Sequence, residues 1–313
     1  MITFRVRASL IRTLAEDWGY WMRRLPALLL ATFAALVPTT APAAAEETGP
    51  PQRHFAAALA YSLAHPDAIP AGANDFSCEP SRQHPNPVVL VHGTFENRYD
   101  NWAALSPLLA AQGYCVFALN YGGAAGNPIQ GTGDIATSAQ ELAAFVSEVL
   151  VATGAQRVDL VGHSQGGMMP RYYLKHLNGS SRVDNLVALT PSNHGTTLFG
   201  LANLLALFPP DLVDLFCAAC RQQVAGSDFV TELNSGGETD PAVDYTVIAT
   251  RYDEVVTPYT SSFLEQAPNV ENLLLQDFCP ADFTEHVGIS YNEAAMRLTL
   301  NALDPENAVQ PSC

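Results

Sequence analysis

From about residue 86 the chain alternates short apolar runs with segments whose apolar residues recur at helical spacing. That is the pattern of a mostly parallel central sheet flanked by helices. The runs Val88–Val91, Val116–Leu119, Val158–Val161, Val183–Leu189, Tyr245–Ala249 and Val270–Leu275 predict six strands. Ile135, Leu142, Phe145, Val146, Val149 and Leu150 predict a helix over Ile135–Thr153, with Asp134 as its cap. A further helix is expected after Gly166. Between the fourth and fifth strands lie roughly fifty residues that break the alternation. They carry Leu201, Leu204, Leu205, Leu207 and Phe208, then Leu212, Val213, Leu215 and Phe216, divided by Pro209-Pro210. We read about 195–240 as a helical cap or lid over the C-terminal edge of the sheet.

Residues 1–45 are of another kind. Arg5, Arg7, Arg12, Arg23 and Arg24 precede an apolar run from Leu25 to Val37, and the small residues of Thr39–Ala45 follow. Basic, apolar and small-residue regions in that order make a secretory signal peptide, with cleavage expected after Ala45. The apolar run is too short to span a hydrocarbon core of about 30 Å, so no membrane segment is expected in the exported chain. Residues 46–313 are read as one domain. Met22-Arg23-Arg24 would make a compact start, whereas Glu16, Asp17, Trp18 and Tyr20 fit a basic region poorly. Translation from Met22 is therefore the alternative, and the arginine pair leaves both the Sec and the twin-arginine routes open.

Charge narrows the partners. The 313 residues hold 15 Lys+Arg against 31 Asp+Glu, a formal charge of −16, and Lys175 is the one lysine. Without residues 1–45 the charge is about −19 by the same count. Nucleic acid needs a basic face and anionic lipid a basic cluster, so neither is a partner. Export also gives Cys78, Cys115, Cys217, Cys220, Cys279 and Cys313 a meaning: an even set in an oxidising compartment implies disulfides. Cys217 and Cys220 have redox-pair or zinc spacing. No strand leads into them and no second pair or nearby His completes a metal site, so a local structural bridge is expected.

Gly162-His163-Ser164-Gln165-Gly166 carries the chemistry. Three fixed positions of G-x-S-x-G recur by chance about once in ten chains of this length, so context decides. Here a strand runs straight in and a helix-forming segment follows. Such a turn lifts the serine Oγ above the sheet edge, at the amino end of a helix where anionic intermediates are favoured. The serine needs a base, and the base an orienter, which follow in the order Ser, acid, His after late strands. His286 lies beyond the fifth strand and is the base; Asp253 is the acid, with Glu254 and Asp277 as the alternatives. His92, His163 and His194 are read as structural or supporting groups. The oxyanion donors are expected to be the N–H groups of Thr94 and Gln165, with the Thr94 hydroxyl as a third and Phe95 as the off-by-one alternative.

His92-Gly93-Thr94, the Ser164 motif and Thr250-Arg251-Tyr252-Asp253-Glu254 together resemble the secreted actinobacterial lipases called class 2, of the α/β-hydrolase superfamily. The resemblance covers most of residues 74–290. It implies an α/β-hydrolase fold and triacylglycerol lipase or carboxylesterase activity with no metal or organic cofactor. It also implies a Cys78–Cys115 bridge, from which Cys217–Cys220 and Cys279–Cys313 follow as the remaining pairs. On this reading the substrate is a lipid ester, met at a lipid–water interface by a secreted monomer. Phe95, Leu201, Leu204, Leu205 and Phe208 are the candidate acyl-pocket residues. A polyester or polyhydroxyalkanoate depolymerase uses the same triad and is the rival enzyme. A non-catalytic binding protein on the same fold is the rival outside enzymology, against which the intact Ser164, Asp253 and His286 speak.

Overall fold

The computed structural model describes residues 47–198 and 210–313. The signal-peptide assignment and the apolar positions Leu201, Leu204, Leu205, Leu207 and Phe208 lie outside them.

All six apolar runs are strands: β1 Val88–Val91, β2 Val116–Leu119, β3 Val158–His163, β4 Val183–Leu189, β5 Asp244–Ala249 and β6 Val270–Leu274. They pair in parallel in the order β2-β1-β3-β4-β5-β6. Runs without polar alternation are what a doubly covered parallel sheet requires. β1 shows why: Val89 and Val91 join the core on one face, Val88 and Leu90 the core on the other, all at 0% exposure. On the first face lie α4 (Ile135–Thr153) and α5 (Gln165–His176). On the second lie α2 (Arg98–Trp102), α3 (Leu105–Ala111) and, near the C-terminus, α9 (Glu293–Leu303). Before the sheet comes α1, Phe55–Ala64, whose Ala58 packs with Tyr99 and Tyr291.

The Asp134 cap forms as expected, its carboxylate accepting the Thr137 N–H at 2.8 Å. α4 is long and apolar enough to cross a bilayer, yet Ile135, Ala139, Leu142, Val146 and Val149 are spent on the sheet. It is a core helix. β6 ends one residue early because Leu275 opens a short helix, α8, Leu275–Phe278.

Of the stretch expected to form a cap, the described helices are α6 (Pro210–Gln222) and α7 (Asp228–Asn234). α6 is interrupted at Cys217, whose φ of −160° and ψ of 83° are not helical. Leu215 and Phe216 stand 75% and 73% exposed, so this stretch is not simply buried against the sheet. Ala45–Cys313 forms one compact unit.

The three bridges are Cys78–Cys115, Cys217–Cys220 and Cys279–Cys313. The first and third close loops of 37 and 34 residues, the second one of 3. Chain-entropy arithmetic assigns about 4 kcal/mol to each long loop and less than half that to the short one. Dithiothreitol should therefore lower Tm by well over 10 °C, while Cys217→Ser/Cys220→Ser alone lowers it by only a few degrees. Differential scanning calorimetry of the two samples reads the difference.

The strand order places the site. β1 sends the chain to β2 on one side, whereas β3 lies on the other, so the loops after β1 and β3 part above the sheet. Such a switch point opens a crevice at the carboxyl edge.

Candidate active site

Ser164 sits at φ 54° and ψ −122°, between the end of β3 and the start of α5. The left-handed region strains a side-chain-bearing residue, and the turn accommodates it with a glycine two residues away on either side. A Cβ at Gly162 would lie 1.9 Å from the Gly166 carbonyl oxygen, and one at Gly166 2.1 Å from that of Val91. No side chain fits at either place.

His286 follows α8 in an irregular loop, and Asp253 follows β5. Their side chains meet: Asp253 Oδ2 lies 2.9 Å from His286 Nδ1. The other carboxylate oxygen, Oδ1, accepts the N–H groups of Val255 and Val256 at 2.9 and 2.7 Å. Glu254 does something else, accepting the backbone N–H of His286 at 3.2 Å. Asp277 is an exposed residue of α8. Of the three acidic candidates only Asp253 touches the ring.

Ser164 and His286 line one cavity of about 400 Å³ with Thr94 and Phe95. Its wall is mostly apolar, from Val224, Val255, Val256 and Val287 and from Phe55 and Leu59 of α1. Phe95, the one described member of the expected acyl-pocket set, is at the mouth, 54% exposed and at φ 67°. Phe55 and Leu59 were not foreseen, since no local pattern ties residue 55 to residue 164.

The Thr94 and Gln165 N–H groups have no acceptor among the described residues. That of Gln165 is the first of α5, where helix geometry leaves N–H groups free. The two side chains are fixed by Gln223, which the sequence reading missed. Gln223 Nε2 donates to the Ala219 carbonyl at 3.2 Å, to Thr94 Oγ1 at 2.9 Å and to Gln165 Oε1 at 3.2 Å. Its Oε1 accepts from Ser192 at 2.8 Å. Because a carbonyl only accepts, Ala219 sets the direction of both amides. The Thr94 hydroxyl then donates to Gln165 Oε1 at 2.6 Å. Its expected role as a third donor to the reaction is taken up inside this network.

His92 is structural, as expected. Nδ1 donates to the Gly93 carbonyl at 2.8 Å, the Tyr121 N–H points at Nε2 from 3.4 Å, and the ring stacks on Tyr121. Burial keeps it neutral, pushing its pKa down to about 4. His194 pairs with Glu238 at 2.6 Å and rises above its ordinary value, chiefly through that hydrogen bond. Among the described residues no cluster of three or more His, Cys, Asp or Glu side chains is placed to hold a metal ion.

The profile of the family described as Lipase (class 2) matches residues 85–295, two-thirds of the chain and every element just named except α1. The chain belongs to the class 2 lipase family. A triacylglycerol lipase of Pseudarthrobacter phenanthrenivorans is 38% identical over 91 residues, 28% of this chain and 27% of that protein. The match thus spans about a quarter of the length of the curated relatives. The crystal structure of Aspergillus fumigatus lipase B is similar with a TM-score of 0.60 at 24% identity, over 78% of this chain and 56% of that one. The mature form of Bacillus licheniformis lipase BlEst2 gives a TM-score of 0.55 at 18% identity, over 72% and 94%. These likenesses bear on the fold, which is that of the α/β-hydrolases. Within this family member the matched region holds Ser164, Asp253 and His286 together.

Proposed function

We propose that the protein is a secreted serine ester hydrolase acting on lipid esters, with Ser164 as nucleophile, His286 as general base and Asp253 as its orienter. The observation that carries the reading is the Asp253–His286 hydrogen bond above a strained Ser164 in an apolar cavity. Ser164 Oγ attacks the acyl carbon and its proton passes to His286 Nε2, while Asp253 accepts from Nδ1. The oxyanion that forms is received by the N–H groups of Thr94 and Gln165. The C–O bond then breaks, the alcohol leaves with the proton held by His286, and the acyl group stays on Ser164. Water, deprotonated by His286, repeats the attack and releases the acid. No metal or organic cofactor enters this scheme. Three disulfides support an oxidising, extracytoplasmic setting. The family and the apolar cavity favour fatty acyl esters over polar ones.

Hydrolysis of p-nitrophenyl esters from acetate to palmitate, beside emulsified triglyceride and a polyester film, tests it. Turnover of long esters and triglyceride is expected. Turnover of the film with triglyceride untouched would make the protein a polyester depolymerase, and no turnover at all a binding protein.

The exposed pair on α6 extends this to the interface. Leu215→Ser/Phe216→Ser should leave Tm within about 2 °C, since both side chains are solvent-exposed. Butyrate turnover should be unchanged and that of emulsified triglyceride several-fold lower. Equal losses on both substrates would remove these residues from the interface.

A further inference from the structure

The scheme above leaves Glu96 and His163 unused, although both are buried, at 5% and 1% exposure. Glu96 lies in the loop after β1, and His163 immediately precedes Ser164. Glu96 Oε2 lies 2.8 Å from His163 Nδ1 and accepts the Gly93 N–H at 3.0 Å. A Cβ at Gly93 would come within 2.4 Å of that oxygen, so glycine is what lets the carboxylate reach the loop. The other ring nitrogen, Nε2, lies 3.0 Å from the backbone carbonyl oxygen of His286.

A carbonyl oxygen only accepts, so Nε2 carries a proton. At Nδ1 the partner is a carboxylate that also accepts the Gly93 N–H, and the arrangement this pair favours is the charged one: a ring protonated at both nitrogens, an imidazolium, beside an ionised Glu96. The Asn101 amide nitrogen also lies 3.1 Å from Nδ1 and donates to Ser290 Oγ at 3.3 Å. Burial by itself pulls His163 down and pushes Glu96 up. Their mutual charge and hydrogen bond outweigh it, leaving His163 above and Glu96 below its ordinary value. The other titratable groups facing the pair are His286, Asp253 and His92, with Asp100, Tyr121 and Tyr291 beside Glu96.

His286 belongs to neither strand nor helix, so no backbone ladder holds it. Glu254 takes its N–H, His163 its carbonyl and Asp253 its ring. We propose that His163, held as an imidazolium by Glu96, is a positioning residue that fixes the backbone of the general base His286. The inference rests on the assignment of His286 made above. One carboxylate oxygen thereby ties together the loop after β1, the nucleophile turn and the His286 loop.

His163→Phe keeps a planar ring and removes the donors. Glu96→Gln/His163→Phe also removes the buried charge that the single variant strands, and so guards against misfolding. In folded protein both should lower kcat on p-nitrophenyl butyrate about 10- to 100-fold, with KM within about twofold. Glu96→Gln alone, which leaves a neutral His163 able to donate from Nε2, should lose less. A merely structural role would lower Tm and leave kcat per folded molecule intact. In ¹⁵N-histidine-labelled wild type, a doubly protonated imidazole should persist at about pH 8, where an ordinary histidine is neutral, and should vanish in Glu96→Gln, unlike any signal of the His194–Glu238 pair. Ser164→Ala is run alongside. If it is inactive while the folded double variant keeps its kcat, or if Glu96→Gln removes no doubly protonated imidazole at that pH, the positioning role is overturned. If Ser164→Ala itself stays active, the assignment of the site has failed first.

Discussion

Ser164→Ala should lower ester turnover about a million-fold and abolish covalent labelling by a fluorophosphonate, with Tm almost unchanged. The size follows from the chemistry. Without Oγ no acyl-enzyme forms, and only the apolar cavity and the two N–H donors remain to favour a direct attack by water. Tm should hold because the serine makes no side-chain cap to α5 and alanine adds nothing to the turn. Intact-mass spectrometry after labelling, beside a p-nitrophenyl butyrate assay, reads both quantities. A labelled Ser164→Ala protein would place the nucleophile elsewhere.

Asp253→Asn should cost about ten-thousand-fold in kcat, and the hydrogen bonds here say why. The N–H groups of Val255 and Val256 both point at Oδ1, so an asparagine keeps its oxygen there and turns its NH₂ to His286 Nδ1. A donor facing Nδ1 forces the ring proton onto Nε2, the atom that must take the proton of Ser164. The variant folds and holds its base in the wrong tautomer. Glu254→Gln retains an oxygen for the His286 N–H and should lose less than about tenfold. The kcat values of the two variants, measured side by side, decide the matter; a reversed order would make Glu254 the orienter.

Much of this arrangement could be read before folding. Val88–Val91 and Val116–Leu119 are apolar at every position, as a sheet covered on both faces demands, so strand class and covering helices followed from pattern alone. Ser164 was visible because its turn excludes side chains two residues away on either side, leaving two glycines at fixed spacing. His286 and Asp253 were placed by chain order. Between Asp253 and Glu254, adjacent and of the same charge, the order says little. Their separation came from geometry: the tight turn after β5 sends one carboxylate to the ring and the other to the backbone.

Other contributions left no trace in any local window. Phe55 and Leu59 reach the cavity on a helix more than one hundred residues from Ser164 in sequence. Gln223 is an ordinary polar residue at the end of α6 until the fold sets it beside Thr94 and Gln165. Glu96 carries no signal in the sequence and His163 reads there only as a structural or supporting group; they become an ion pair where β1 and β3 lie side by side. Periodicity and turn chemistry are local properties, settled by the side chains within a few residues of each position, and they determined the strands, the nucleophile turn and the class of fold. Which loops meet above the sheet depends on strand order and on the packing of distant elements. Only the tertiary structure could decide what meets the His286 ring, what fixes the side chains of Thr94 and Gln165, and what encloses the cavity.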